Sequence, residues 1–333
     1  MKKLFAIICV IILVFCITSC TDSNTNQSSN TSIPTNEPDL EQGTPDTKPE
    51  QTMPPTDTSD AIKIKFDQNS ISAGEGVTVN GNVATITTAG NYEVSGKLKE
   101  GQLCVDADNC EVYLILNNAD IHCSNSAPLF VKKADHVYLV LASNSTNTLT
   151  DGSVYSYEAG VTEPDATLFS KADMTISGEG TLNITSKYND SIANRDTLVI
   201  QSGNINVNAA NHGIKGKDFL SILGGNIKIT SGRDGIKSTN DTDSSLGYVV
   251  ISGGVIDINA QDEAISAVTS VKISGGQTKI NTDNNAIKAG TVVEISAGDV
   301  DVSTNDKGLV CAEEKIGKNA NVTVNGSKLK SNY

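Results

Sequence analysis

The sequence predicts an all-β chain wound as a right-handed, single-stranded parallel β-helix with coils of about 22 residues. Three observations predict it. Apolar residues recur in a fixed register through residues 198–309. A glycine follows the same isoleucine at the same distance in every repeat. The composition is rich in Gly, Asn, Thr and Ser, lacks Trp and offers hardly any helix-forming runs, which favours strands and turns.

The repeat is anchored on Ile200, Ile222, Ile251, Ile273 and Ile295, at steps of 22, 29, 22 and 22 residues. Three residues beyond each stands Gly203, Gly225, Gly254, Gly276 or Gly298. Five and seven residues beyond come the pairs Ile205 and Val207, Ile227 and Ile229, Ile256 and Ile258, Thr278 and Ile280, Val300 and Val302; only Thr278 breaks the apolar register. A further column reads Ile214, Ile236, Ile265, Ile287 and Leu309. Alternation puts each set on one strand face, and the long period returns the chain to the same place, so the columns stack inside a prism. One coil cannot bury its face alone, so neighbours must cover each other. Earlier coils begin at Ile176 and include Val112–Leu116 and Val137–Leu141; between Ala61 and Cys110 the register fades.

The chain begins with features of export. Lys2 and Lys3 precede an apolar run, Leu4–Ile17, and Ile17-Thr18-Ser19-Cys20 fits a lipobox. Residues 1–20 therefore read as a lipoprotein signal peptide, with Cys20 the site of lipidation and the membrane a partner through that anchor. The expected location is extracellular, tethered at the cell surface. Residues 21–60 are rich in Ser, Thr, Asn and Pro, and carry eight acidic residues against Lys48. Such a segment cannot bury a core and reads as a disordered acidic linker. Residues 61–333 form the β-helix domain. The formal charge of the whole chain is −14, and with no basic patch this argues against nucleic acid as a partner. Cys104, Cys110, Cys123 and Cys311 remain after the signal, match no zinc spacing and suggest no definite pairing. A monomer is expected. The 29-residue step places an acidic insertion between Thr239 and Gly247, which must leave the stack as a loop.

A polar stack runs beside the last apolar column. It reads Asp190, His212, Asp234, Glu263, Asn285 and Lys307, preceded by Asn189, Asn211, Arg233, Asp262, Asn284 and Asp306. Lys215, Lys237 and Lys288 follow the column, and Asp196 and Asp218, with Asp241 in the insertion, form another acidic line. Stacked carboxylates repel unless a cation or a basic side chain separates them. Ca²⁺ takes six to eight oxygens, and Asp190, Asn211, Asp234, Asp196, Asp218 and Asp241 are the candidate ligands. In the plainer alternative Lys215 or Lys237 is a counter-charge, for instance to Asp218. Beside a cation, either lysine would be a candidate base. His212 is a candidate ligand or contact.

Phe169-Ser170-Lys171-Ala172-Asp173, Tyr188-Asn189-Asp190, His212–Asp218 and Asp234–Asp241 resemble the clostridial β-helix lipoproteins called carbohydrate-binding domain-containing proteins. The resemblance covers about residues 112–313. It implies binding of cellulose and of acidic sugars such as pectin, Ca²⁺ on the β-helix, and a fold similar to polysaccharide lyase family nine. It also implies that Asp190, Asp234, Asp196, Asp218 and Asp241 form the calcium region. One departure stands out: Asn211-His212 replaces what is usually an Asp pair, which removes carboxylates from one cation site.

The expected function is binding of plant cell-wall polysaccharide at the cell surface, through Lys215, Lys237, Arg233 and His212 with Ca²⁺. The absence of Trp and of a repeating Tyr or Phe column speaks against an aromatic platform for flat cellulose and toward acidic glycans. The alternative is a pectate-type lyase, in which Ca²⁺ acidifies a ring proton and Lys237 or Lys215 removes it. A purely structural spacer would show neither metal nor glycan affinity.

Overall fold

The computed structural model describes residues 60–333. The expected signal peptide, Cys20 and the linker up to residue 59 lie outside them. The described residues contain strands, turns and no helix. Two sheets, of 19 and 11 strands, wrap one continuous apolar core in an arrangement of the parallel β-helix kind.

Three strand directions recur along the chain and define three faces. The first carries His136–Leu141, Asp173–Gly178, Thr197–Ile200, Phe219–Ile222, Tyr248–Ile251 and Ser270–Ile273. The second carries Thr146–Asp151, Thr181–Ser186, Asn204–Ala209, Asn226–Ser231, Val255–Ala260 and Gln277–Thr282. The third carries Leu129–Lys133, Ala166–Ser170, Asp190–Asn194, Ile214–Gly216, Ile236–Ser238, Ile265–Ala267 and Ile287–Ala289. Each strand pairs in parallel with its successor one layer on. Ile200, Ile222, Ile251, Ile273 and Ile295 are successive partners. So are Ile214, Ile236, Ile265, Ile287 and Leu309 on the third face. These are the residues that alignment of the repeat stacks, and every one of them but Leu309 is buried.

The recurring glycines enforce the stacking. Gly225, Gly254 and Gly276 have φ of +97°, +93° and +82°. A Cβ on each would lie 2.9, 2.8 and 2.7 Å from the carbonyl oxygen of the glycine one layer earlier. A side chain would therefore both strain the backbone and prise the layers apart. Thr278 occupies the core column between Ile256 and Val300, is 2% exposed, and its hydroxyl has no hydrogen-bond partner.

The ends are closed by antiparallel strands. Ile62–Gln68 pairs antiparallel with Ser70–Ala73, and Val77–Asn80 with Val83–Ile86. At the far end Ser327–Lys328 turns back on Thr323–Val324, and Asn332 accepts from the Ile316 N–H at 2.7 Å. Such caps remove open parallel edges. They interrupt the repeat, which is why the register fades before Cys110. The four cysteines among the described residues, Cys104, Cys110, Cys123 and Cys311, are free thiols.

Two segments leave the stack on opposite edges of the third face. Residues 239–247 stand between the third and first faces, as the 29-residue step requires, and Asn240 Oδ1 accepts from Thr242 N and Asp243 N to shape that loop. The other, residues 152–165, lies between the second and third faces. It follows Asp151, which is fully buried and takes hydrogen bonds from Tyr155, Thr167, Ser186 and the Lys187 N–H.

Candidate functional site

The corner between the second and third faces collects the polar stack. Each layer turns there just before an apolar third-face residue, so the side chains two positions earlier stack at the corner, about 4.8 Å from their counterparts above and below.

Asp190 is fully buried. Its Oδ1 accepts from Asn211 Nδ2 at 2.8 Å and from the His212 N–H at 3.1 Å. Its Oδ2 pairs with Lys215, itself buried. His212 Nδ1 accepts from the Asp234 N–H at 3.3 Å, so that nitrogen carries no proton. Burial, with Lys237, Lys215 and Arg233 opposing the pull of Asp190, lowers the His212 pKa to about 4. The 3.7 Å approach to Asp234 Oδ2 therefore joins a neutral ring to a carboxylate and is no ion pair.

Asp234 is also fully buried. Its Oδ2 lies 2.6 Å from Lys237 Nζ, off the line of a hydrogen bond, and Oδ1 has no hydrogen-bond partner. One layer on stand Asp262 and Glu263, and oxygens of the three carboxyl groups lie within 4.8 Å of one another. Asp262 accepts from Asn284 Nδ2 at 2.8 Å and meets Arg233 at 3.3 Å. Burial raises its pKa, but Asn284, Glu263 and Arg233 outweigh that and hold it below the usual carboxylate range. Glu263 pairs with Lys288 at 2.7 Å, and that bond raises the lysine. The ridge is thus four acids facing four bases. Lys237, Lys288 and Arg233 reach solvent, whereas Lys215 does not.

The expected site residues therefore divide. Asp190, Asn211, His212, Lys215, Arg233, Asp234 and Lys237 do share one corner. Asp196, Asp218 and Asp241 do not, which corrects their grouping with Asp190 and Asp234. They occupy the opposite edge of the third face, beyond strands such as Asp190–Asn194, which at about 3.3 Å per residue puts more than 10 Å between the clusters. There Asp196 stands between Asp173 and Asp218. Burial and those two neighbours raise it to about 6, and Asn240 Nδ2 donates to Asp218. Asp241 is exposed on its loop. Asp218 pairs with neither Lys215 nor Lys237; those lysines serve Asp190 and Asp234. Both oxygens of Asp190 are engaged within the protein, which leaves it little to offer a metal. Within the polar stack the open oxygen belongs to Asp234, and its neighbours Asp262 and Glu263 stand in the stack read from the sequence but were not among the expected ligands.

An orphaned, buried carboxylate oxygen beside two further carboxyl groups suits a hard divalent cation, which takes oxygen ligands and cancels the repulsion of stacked acids. The family described as carbohydrate-binding domain-containing protein matches residues 80–332. A relative of that description from Acetivibrio thermocellus is 38% identical over 151 residues, which are 44% of this chain and 53% of the relative. The aligned part thus spans about half the relative's length. A solved structure of a polysaccharide lyase-like protein from C. thermocellum, a gadolinium derivative, superposes with a TM-score of 0.70 at 38% identity, covering 71% of this chain and 97% of that one.

Proposed function

The chain belongs to the family of carbohydrate-binding domain-containing proteins, and from that premise we propose that it is a cell-surface lipoprotein that binds acidic plant cell-wall polysaccharide through a calcium-bearing corner of a right-handed β-helix. The handedness follows the general rule for crossovers between parallel strands of one sheet, and the coil length of about 22 residues follows the recurring partners of the third face. The observation that carries the function is the open oxygen of buried Asp234 beside Asp262 and Glu263. Asp234, Asp262 and Glu263 would hold Ca²⁺, with water completing the shell.

Without the ion, Lys237, Lys288 and Arg233 are bound to those same acids. With Ca²⁺ held by Asp234, Asp262 and Glu263, these ammonium and guanidinium groups would be released toward solvent and would pair with uronate carboxylates, in bidentate fashion for Arg233. The ridge changes from balanced to positive, so glycan affinity depends on Ca²⁺. Neutral cellulose gains nothing from this exchange, which is why pectin-type chains are the preferred class.

Lys237 favours a second reading. Its amine lies 2.6 Å from Asp234 Oδ2, so beside a cation held there it would serve as the base for β-elimination from a uronate, and the solved neighbour is described as lyase-like. One assay separates the readings. The domain is incubated with polygalacturonate, with Ca²⁺ or chelator, following pull-down and the absorbance of unsaturated product. Calcium-dependent retention without absorbance is expected. Growing absorbance abolished by Lys237→Ala establishes the lyase, and absence of both rejects glycan recognition.

A further inference from the structure

Three tyrosines that show no periodicity in the sequence come together on the same corner. Tyr155 and Tyr157 stand on the 152–165 segment, and Tyr188 lies two residues before Asp190. Tyr155 and Tyr188 stack with centroids 4.1 Å apart and planes at 13°. Tyr157 closes the group at 6.4 Å from Tyr188, tilted by 58°.

The group is held rigid from below. Tyr155 is buried and donates to buried Asp151 at 2.8 Å, and Tyr157 donates to the Pro164 carbonyl at 2.7 Å. Tyr157 and Tyr188 are only half-buried, so the fold orders aromatic surface and leaves part of it wet. Tyr188 is also an extra residue in its layer. Ser186 pairs with Ala209, and the Asn211 N–H meets the Asn189 carbonyl, so Lys187 and Tyr188 stand where the next layer has Ala210 alone. The corner bulges outward there.

We propose that Tyr157 and Tyr188 form a sugar-stacking subsite, which takes one pyranose ring of a linear uronate-containing glycan lying along the corner toward the Asp234 cation cluster. An aromatic face carries negative charge density and suits the weakly positive C–H face of a sugar ring. Asp234 lies two layers from Asp190, a distance of about 10 Å, within reach of a short oligosaccharide. The corner continues beyond the tyrosines into a polar cleft lined by Asn82, Gln102, Asn125 and Ser126, whose amides and hydroxyls suit sugar hydroxyls. A second cleft, over Asn183, Asn206 and Thr230, opens on the second face and is separate from this track.

The inference rests on the glycan reading above, and the test distinguishes the two. Calorimetry with Ca²⁺ present compares digalacturonate and hexagalacturonate on the wild-type chain, Tyr188→Ala and Tyr188→Leu. Tyr188→Leu retains apolar bulk and guards against loss of folding. The ring's removal should weaken the hexamer about fivefold or more in both variants while leaving the dimer and Ca²⁺ affinities within twofold. Equal hexamer affinity in the wild type and Tyr188→Leu overturns the subsite and leaves the cation site standing. A wild-type chain that binds neither oligomer overturns the glycan reading and the subsite together.

Discussion

At the scale of single residues, two buried polar groups without partners have opposite meanings. The Thr278 hydroxyl lies in the apolar column between Ile256 and Val300, where a ligand has no use. Replacing it with the isosteric valine removes the penalty of a buried, unpaired hydroxyl. Thr278→Val should therefore stabilise the fold by about 1 kcal/mol, read as a higher midpoint in denaturant; a lower midpoint would show that the hydroxyl is solvated. Asp234 is equally buried, but its open oxygen faces two more carboxyl groups. Asp234→Asn should weaken Ca²⁺ binding at least about tenfold, since affinity follows the charge count of the ligands, and an unchanged calcium titration would remove Asp234 from the site. The sequence made Thr278 conspicuous because it broke a column. It could not separate Asp190 from Asp234, since both stand at the same repeat position and differ only in what reaches their oxygens.

At the scale of elements, the two edges of the third face behave differently. Asp173, Asp196 and Asp218 stack with no basic side chain between them; the Thr197 N–H donates to Asp173 and Asn240 Nδ2 to Asp218. The folded Asp196 holds its proton up to about 6, above the ordinary carboxylate value of about 3.9. Its contribution is fully present below pH 4 and is lost as pH rises through 6. Asp196→Asn should flatten that decline, and the mutant should gain on the wild type as pH rises from 4 to 7 in thermal melts; parallel curves would place the titration elsewhere. On the other edge, Asp151 pins the 152–165 segment by accepting four hydrogen bonds. Asp151→Asn turns one acceptor into a donor facing donors. A loss of about 2 kcal/mol and faster proteolytic nicking within residues 152–165 are expected, whereas unaltered cleavage would mean that the loop's other anchors, such as the pairing of Glu163 and Asp165 with Arg195, hold it. The 239–247 insertion was legible as a longer step between aligned isoleucines. The 152–165 insertion has the same signature, a long step from Leu139 to its partner Ile176, but it falls where the repeat is weakest.

For the whole molecule, periodicity made the stack legible, because the same residue types must recur wherever layers cover each other. The caps lack that constraint, so Ser70–Ala73 and Val77–Ile86 carry no repeat to read. The site was legible as a corner and obscure as a constellation. Acids and bases crowd one corner, yet which lysine reaches which carboxylate depends on side-chain reach that spacing does not encode. The central claim is an exchange of partners along that corner: calcium takes the acids, and the bases take the glycan. Binding linkage makes the two affinities reciprocal. The most direct test is the calcium dissociation constant of the wild-type domain with and without saturating oligogalacturonate. Tighter calcium binding is expected with the glycan, by the same factor as calcium tightens the glycan, with loss of both gains in Asp234→Asn. A calcium affinity indifferent to the glycan would contradict it.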